Sequence, residues 1–236
     1  MAAVTEYWNN PLVQAVVWSL LTIGLYMMAK YAYGRWHRWW QMPLALAPAL
    51  LIVMVWLLGE PYSRYHASAG WLLTMLGPVT VAFAVPIYEK RRLIGRYWAV
   101  LTIGMVAGSA TAFLTSWIFA SILGIDGTLR LSLLPRSIST PFAIDVSRNI
   151  GGTADLTAVF VIVTGVIGSI VGGFLADRLP LRSPLARGAM LGVAAHGAGT
   201  AKANEFGAEE GSVAGLLMIL VGMLNVLGAS IFSLFR

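Results

Sequence analysis

Long apolar runs, each close to the length of a membrane-spanning helix, recur along almost the whole chain. Of its 236 residues, 58% are hydrophobic and only 11% are charged, whereas soluble domains carry about 25% charged residues. A helix needs about 20 apolar residues to cross the hydrocarbon core of a bilayer. The runs are continuous, which disfavours a β-barrel, because barrel strands alternate apolar and polar residues. The sequence therefore predicts an all-α polytopic membrane protein.

Basic loops separate these runs and indicate which way the chain crosses the membrane. Lys and Arg concentrate in loops on the cytoplasmic side, and here they occupy residues 30–40, 89–96 and 178–187. We expect about six full spans, over residues 12–29, 43–58, 70–88, 97–123, 153–176 and 211–235.

Because the three basic loops are expected on the same side of the membrane, two of the segments between and after them are predicted not to cross it. A single crossing, residues 153–176, then separates residue 128 on the outside from residue 178 on the inside. Segment 129–150 is therefore expected to be a re-entrant, broken-helix hairpin from the outer side. By the same reasoning, segment 188–208 is expected to be a hairpin from the inner side.

An internal repeat supports two related units. Sliding the chain along itself aligns residues 139–151 with residues 199–211, so that Thr140 falls on Thr200. Two inverted hairpin-plus-helix units are a common construction of secondary transporters. We therefore predict an N-terminal scaffold of about four spans and a C-terminal transport core, over residues 1–128 and 129–236, with the units of the core at 129–176 and 188–236.

Polar residues inside these two hairpins carry the candidate chemistry. An arginine at the centre of a membrane helix costs about 2.5–3.5 kcal/mol on insertion scales, so such a group usually faces a cavity. The run L-P-R-S-I-S-T-P predicts a break followed by a half-helix, with Thr140 as N-cap and Pro141 as the first helical residue. The run A-H-G-A-G-T-A predicts a turn over residues 197–199 with Thr200 as N-cap. Two half-helix N-termini at one cavity favour a bound anion.

A small carboxylate suits this arrangement. Its oxygens would be bound by Arg136 and by backbone N–H groups, while the hydroxyls of Ser137 and Ser139 would contact the oxygen on the neighbouring carbon. The candidate substrate-binding residues are Arg136, Ser137, Ser139, Thr140, Pro141, His196, Gly197, Gly199 and Thr200. The candidates for coupling transport to H⁺ or Na⁺ are His196, Glu205 and Asp155.

Structural roles remain open for the same residues. Arg136 is alternatively a counter-ion for Asp145, Asp155 or Glu205. His196 is alternatively a hydrogen-bonding group in helix packing, and the glycines suit close helix packing as well as a substrate turn.

No motif for catalysis or for a resident cofactor is present. The chain has no cysteine and lacks the nucleophile elbow, the zinc-protease motif, the P-loop and the dinucleotide fingerprint. The histidines, His37, His66 and His196, are too scattered to suggest a metal cluster. The net charge of +6 arises in the short loops and is not interpreted as a nucleic-acid site. We expect no enzyme activity, no cofactor and no metal.

The ordered motifs L-P-R-S-I-S-T-P-F-A-I-D, N-I-G-G, A-R-G-A-M-L-G and A-H-G-A-G-T-A resemble those of the LrgB/CidB membrane protein family, over about residues 40–236. That family is known for modulating murein hydrolase export and cell lysis together with a small holin-like LrgA/CidA protein. It is also linked to pyruvate uptake, and its plant relative is the plastidal glycolate/glycerate translocator. The family usually shows L-P-K-S and S-H-A-L-G-T-A; here Arg136 replaces the lysine, Ala195 the serine and Gly197 the alanine.

The resemblance implies a multi-pass protein of the bacterial cytoplasmic membrane. It implies a secondary transporter of small 2-hydroxy or 2-keto monocarboxylates, such as glycolate, glycerate, lactate or pyruvate, working by alternating access. The alternative is a holin-like or antiholin-like regulator of murein hydrolase activity that acts with an LrgA-like partner. We expect contact with the lipid bilayer, a carboxylate ligand and a homo-oligomer, a dimer, with the N-terminal spans as its scaffold.

Overall fold

A computed structural model describes residues 10–36, 38–181 and 183–234, so His37 and Arg182 of the basic loops lie outside the described residues. Within these ranges the chain is helical and contains no strand, which confirms the all-α class. Two short 3-10 helices, Trp39–Gln41 and Gly70–Met75, accompany the α-helices. In chain order these are α1 Pro11–Trp36, α2 Pro43–Leu57, α3 Tyr62–Ala69, α4 Leu76–Ala82, α5 Ala84–Glu89, α6 Arg91–Ile122, α7 Gly127–Leu133, α8 Thr140–Ile150, α9 Ala154–Arg178, α10 Pro184–Phe206 and α11 Ala208–Leu234.

Several of these helices are long and apolar enough to cross a membrane, so the protein is a multi-pass membrane protein. Helix α2 is apolar but only 15 residues long, which gives about 22 Å at the helical rise of about 1.5 Å per residue. The hydrocarbon core is about 30 Å thick, so the expected total of six full spans stays a prediction. The 5 helical runs with sufficient length are Pro11–Trp36, Tyr62–Glu89, Arg91–Ile122, Ala154–Arg178 and Ala208–Ile231.

Two compact units make up the chain, Met1–Val81 and Ala82–Arg236. In the first unit, α1 packs against α2 and α3, and the indole Nε1 of Trp71 donates to Ser19 Oγ at 2.8 Å. The Trp18 ring meets the Tyr65 ring edge-on, with centroids 5.4 Å apart. Polar contacts of this kind between apolar helices are typical of helix association in membranes.

The boundary between the units differs from the one predicted at residue 128. Helix α6 belongs to the second unit, where Gly108 lies directly against Val193 of α10 and Asn225 of α11 donates to Ser109 Oγ at 2.9 Å. A small residue and a hydroxyl allow this close approach, and loop charges carry no information about it. The assignment of residues 129–236 as a transport core stays a prediction.

Hairpin 1 consists of α7, a turn over residues 134–139, and α8. Ser132 on its first arm is fully buried, and its Oγ accepts the N–H of Thr153 at 2.9 Å, just beyond the second arm. Gly152 permits this closure, because a Cβ there would overlap Ser147 Oγ and lie 2.9 Å from the backbone nitrogen of Ser132. The end of the second arm therefore lies against the first arm next to the turn, at the N-terminal end of α9.

Hairpin 2 is α10 itself, which folds back on itself at a break. His196 at the break has φ +39° and ψ −121°, a conformation that is rare for a residue with a side chain. Beyond it, Gly199 lies directly against the carbonyl oxygen of Leu191. The guanidinium of Arg187 on the first arm lies 5.8 Å from the ring centroid of Phe206 on the second. Both ends of hairpin 2 therefore lie on the same side of the break.

Candidate functional site

The breaks of the two hairpins reach the middle of α9 from its opposite ends. Hairpin 1 is closed at the N-terminal end of α9, and Arg136 in its turn donates from Nη1 to Thr164 Oγ1 at 3.5 Å. Hairpin 2 lies along the C-terminal half, where a Cβ on Gly172 would be 2.8 Å from Leu191. Its break brings His196 Nε2 to the carbonyl oxygen of Val161 at 3.1 Å. Residues three apart are neighbours on a helix surface, so both breaks contact one turn of α9.

Hydroxyl groups surround the half-buried guanidinium of Arg136. Its Nε donates to Ser116 Oγ at 2.8 Å, whereas Nη2 lies at 3.5 Å from Thr115 Oγ1. The contact of Nη1 with Thr164 is equally long, and good N–H···O bonds measure about 2.7–3.2 Å. Ser116 therefore positions the guanidinium by its Nε edge, while the terminal nitrogens retain donor capacity for a further acceptor.

Within the described residues, Arg136 contacts no carboxylate. Glu205 pairs instead with Lys202 at 2.7 Å, and Asp145 and Asp155 lie exposed on their helices. The expectation that one of these three acids is the counter-ion of Arg136 is therefore wrong for this structure. A buried cation without an anionic partner is costly, so an anion from solution would stabilise this position.

Ser139 supplies a second polar group with unused hydrogen-bonding capacity. It is 7% exposed, and among the described residues its Oγ has no hydrogen-bond partner. It stands at the N-cap of α8, yet its side chain caps no N–H group, partly because Pro141 has none to offer. A buried hydroxyl left unsatisfied is uncommon and calls for an explanation. A ligand oxygen between Ser139 and Arg136, which belong to the same turn, would provide one.

Both predicted N-caps are displaced in the structure. In hairpin 1 the cap is Ser139, so Thr140 is the first helical residue and Pro141 the second. In hairpin 2 the break lies at His196, and the expected turn at residues 197–199 is helical. Thr200 does not cap but donates from its hydroxyl to the carbonyl oxygen of His196 at 3.0 Å. Proline tolerates either of the first positions of a helix, which is why the sequence misplaces the first cap by one residue.

The remaining predicted site residues fall into two groups. Ser137, Thr140 and Pro141 are half-buried in or next to the turn of hairpin 1. Residues predicted at the second cap have packing contacts instead: Gly199 allows the two arms of hairpin 2 to touch, and Gly197 is exposed. The coupling candidates Glu205 and Asp155 are away from the break of hairpin 1, and their predicted role stays a prediction.

Three hydroxyl residues around Arg136 are not among the site residues predicted from the sequence. Thr115 and Ser116 lie on α6, and Thr164 lies on α9, each within a long apolar run. A Ser or Thr in such a run often bonds to its own helix, as Ser116 does to the Ala112 carbonyl oxygen at 2.8 Å. Nothing local therefore distinguishes them from ordinary helix residues.

Comparison of the sequence with known proteins finds a matching family. The sequence profile of the LrgB-like family matches residues 22–235. The chain is 36% identical over 214 residues to the uncharacterized protein YwbG of Bacillus subtilis (strain 168), covering 91% of this chain and 95% of that protein. It is 32% identical to the holin-like protein CidB of Staphylococcus epidermidis, covering 92% of this chain and 94% of CidB. No solved structure matches.

Proposed function

The chain belongs to the LrgB-like family, and we propose that it is a secondary transporter of small 2-hydroxy and 2-keto monocarboxylates. One observation carries the proposal: among the described residues, the half-buried guanidinium of Arg136 has hydroxyl partners only, and the buried hydroxyl of Ser139 on the same turn has no partner. Glycolate, glycerate, lactate and pyruvate each offer a carboxylate and an oxygen on the adjacent carbon. These two features match a guanidinium and a hydroxyl on the same turn.

Binding would use the groups of hairpin 1 that are not already engaged. The two terminal nitrogens of Arg136 would donate to the carboxylate as a fork. The first N–H groups of α8, which have no partner within the helix, would add partial positive charge. Ser139 Oγ would contact the 2-hydroxyl or 2-keto oxygen, and Ser137 would be its neighbour on the turn.

Transport requires access to this site from each side in turn, and the two hairpins suggest how. Each hairpin extends from one end of α9 to its middle, so movement of either one would open a path on its own side only. The break at His196 has a strained backbone, and strained residues are frequent at sites that switch. We propose coupling to H⁺ or Na⁺, with His196, Glu205 or Asp155 as the residues involved.

We further propose that the protein works in the bacterial cytoplasmic membrane as a homodimer, with a small LrgA-like protein as a partner and without a resident cofactor. The basic loops would face the cytoplasm.

The test is uptake of labelled glycolate and pyruvate into proteoliposomes that contain the full chain alone, under a proton or a sodium gradient. We expect saturable uptake by the wild type. Arg136→Gln should lower the transport efficiency by about 10- to 150-fold, the value of a hydrogen bond to a charged group, about 1.5–3 kcal/mol.

Arg148→Gln is the matched control, because Arg148 is an exposed arginine in the last turn of the same half-helix. It should transport like the wild type. Uptake that is equal in wild type and Arg136→Gln, with both proteins folded, would overturn the assignment of the site.

A holin-like regulator is the second candidate function, and the similarity to the holin-like protein CidB favours it. This role needs no substrate site, so it predicts that Arg136→Gln retains any effect on cell lysis when the protein still inserts. A chain that releases trapped dye from vesicles, or alters lysis without any carboxylate uptake, would favour this role over transport.

A further inference from the structure

An apolar groove lies between α6 and the first arm of hairpin 2, apart from the Arg136 site. Its volume is about 280 Å³, and its walls include Val100 and Gly104 of α6 and Leu185 and Ala189 of hairpin 2, with Leu217 of α11 as the floor. Pockets for compact, drug-sized ligands have about 300–1,000 Å³. The lining residues follow α6 from Val100 to Met105 and hairpin 2 from Ser183 to Val193, so the groove runs along both helices and suits a single apolar chain.

The groove is closed at one end and open along its length. At the closed end, Gly108 of α6 touches Val193 of hairpin 2 so closely that a Cβ on Gly108 would overlap that side chain. One turn earlier, a Cβ on Gly104 would meet no atom within 4 Å. The two helices therefore converge at Gly108 and separate toward the N-terminal end of each.

Basic groups stand at the open end. Arg96 lies at the kink of α6 next to Tyr97, and its guanidinium is 5.3 Å from the ring centroid of Tyr97. Tyr97 packs against the cluster that contains Leu101 and Leu217, both of which line the groove. Within the described residues Arg96 forms no ion pair. The N-terminus of α10, where Ser183 Oγ accepts the N–H of Ala186 at 3.1 Å, adds the partial positive charge of a helix start to the same mouth.

The length of the groove matches one leaflet of a bilayer. Helix α6 is kinked at Tyr97. Beyond the kink, the stretch from Val100 to Gly108 rises about 12 Å at about 1.5 Å per residue, and half of the hydrocarbon core measures about 15 Å. The positive-inside rule would put the basic residues at the open end on the cytoplasmic side, where they would attract the headgroups of anionic lipids.

We infer that this groove binds one acyl chain of an anionic phospholipid, with the phosphate beside Arg96. The apolar walls receive the chain from the open end, the contact between Gly108 and Val193 stops it at the middle of the membrane, and the arginine distinguishes an anionic headgroup from a neutral one. Because the lipid would lie against the first arm of hairpin 2, its binding would also influence the position of the break at His196.

The test compares phosphatidylglycerol with phosphatidylcholine on the purified full chain by native mass spectrometry and by thermal unfolding in detergent. We expect phosphatidylglycerol to bind about fivefold more tightly, the effect of one arginine near an anionic lipid surface. Arg96→Gln should remove the difference between the two lipids. Gly104→Leu, which fills the groove, should weaken the binding of both.

Arg148→Gln and Gly24→Leu are the matched controls. Arg148 is an exposed arginine remote from the groove, and a Cβ on Gly24 meets no atom within 4 Å; both variants should bind lipid like the wild type. Equal binding of the two lipids by the wild type would overturn the inference, and so would a preference that survives Arg96→Gln. Because Arg96 is exposed, Arg96→Gln is expected to fold, so it tests the inference even where Gly104→Leu fails to fold.

Discussion

Replacing Ser139 by alanine should have opposite effects on stability and on ligand binding. In the ligand-free protein, Ser139 Oγ is buried without a hydrogen-bond partner among the described residues, and such a group costs about 1–3 kcal/mol. Serine at an N-cap usually contributes a capping bond that alanine loses, but this side chain caps no N–H group. Ser139→Ala should therefore raise the free energy of unfolding by about 1–3 kcal/mol. At about 2–4 °C per kcal/mol, the Tm rises by about 2–12 °C.

Binding should change in the other direction. If Ser139 Oγ contacts the 2-oxygen of the substrate, alanine removes one neutral hydrogen bond worth about 0.5–1.5 kcal/mol. The Kd for glycolate or pyruvate should then rise by about 2- to 12-fold. The assay is thermal unfolding in detergent with increasing carboxylate, which reports the Tm of the free protein and the Kd in one experiment.

Ser132→Ala is the matched control in the first arm of the same hairpin. Ser132 Oγ is also buried, but it donates to the Thr128 carbonyl oxygen at 2.7 Å and accepts the Thr153 N–H at 2.9 Å. Its removal should lower the Tm. A lower Tm for Ser139→Ala as well, or an unchanged Kd, would refute the reasoning, because it would mean that Ser139 has a structural partner and no ligand.

Two further variants test the geometry around the site. Ser116→Ala removes the acceptor of Arg136 Nε and should raise the half-saturating carboxylate concentration about 10-fold or more. Ser116→Thr keeps the hydroxyl and should remain near wild type in the same uptake assay. Equal values for the two variants would contradict a positioning role for Ser116. Gly152→Ala places a methyl group against Ser147 and the backbone of Ser132, and this overpacking should cost about 1–3 kcal/mol of stability. Gly24→Ala, which meets no neighbour within 4 Å, should instead gain up to about 1 kcal/mol in its helix. Equal Tm shifts for the two glycine variants would contradict the tight closure of hairpin 1.

Hydropathy and loop charge were sufficient to predict the helical class and the places where the chain turns back. Both depend on how each segment interacts with lipid or water, which is a property of the segment alone. The clearest example is residues 129–150, where basic loops on either side left room for only one crossing, and the structure contains a hairpin there. Arg136 also stood out locally, because an arginine between two prolines in an apolar run is costly without a partner.

The caps, the unit boundary and the partners of Arg136 came from the tertiary structure. The N-cap of α8 is Ser139 instead of Thr140, since proline is tolerated at either of the first positions of a helix. The break of hairpin 2 is at His196 instead of the following glycines, because Gly199 packs directly against the Leu191 carbonyl oxygen of the other arm. The second unit begins near residue 82, because Phe83 packs against Phe142, with ring centroids 5.7 Å apart, and Gly108 of α6 lies directly against Val193.

Apolar runs and basic loops thus determined the membrane class and the position of both hairpins, since the transfer of a segment between water and lipid depends on its own composition. Which hydroxyls meet Arg136 was decided only when α6, α9 and hairpin 1 packed together. Ser116 and Thr164 lie far from Arg136 along the chain, and their hydroxyls resemble any other in an apolar helix. The environment of a buried charge is a sum over neighbours in space, and only the packing of the helices brings those neighbours together.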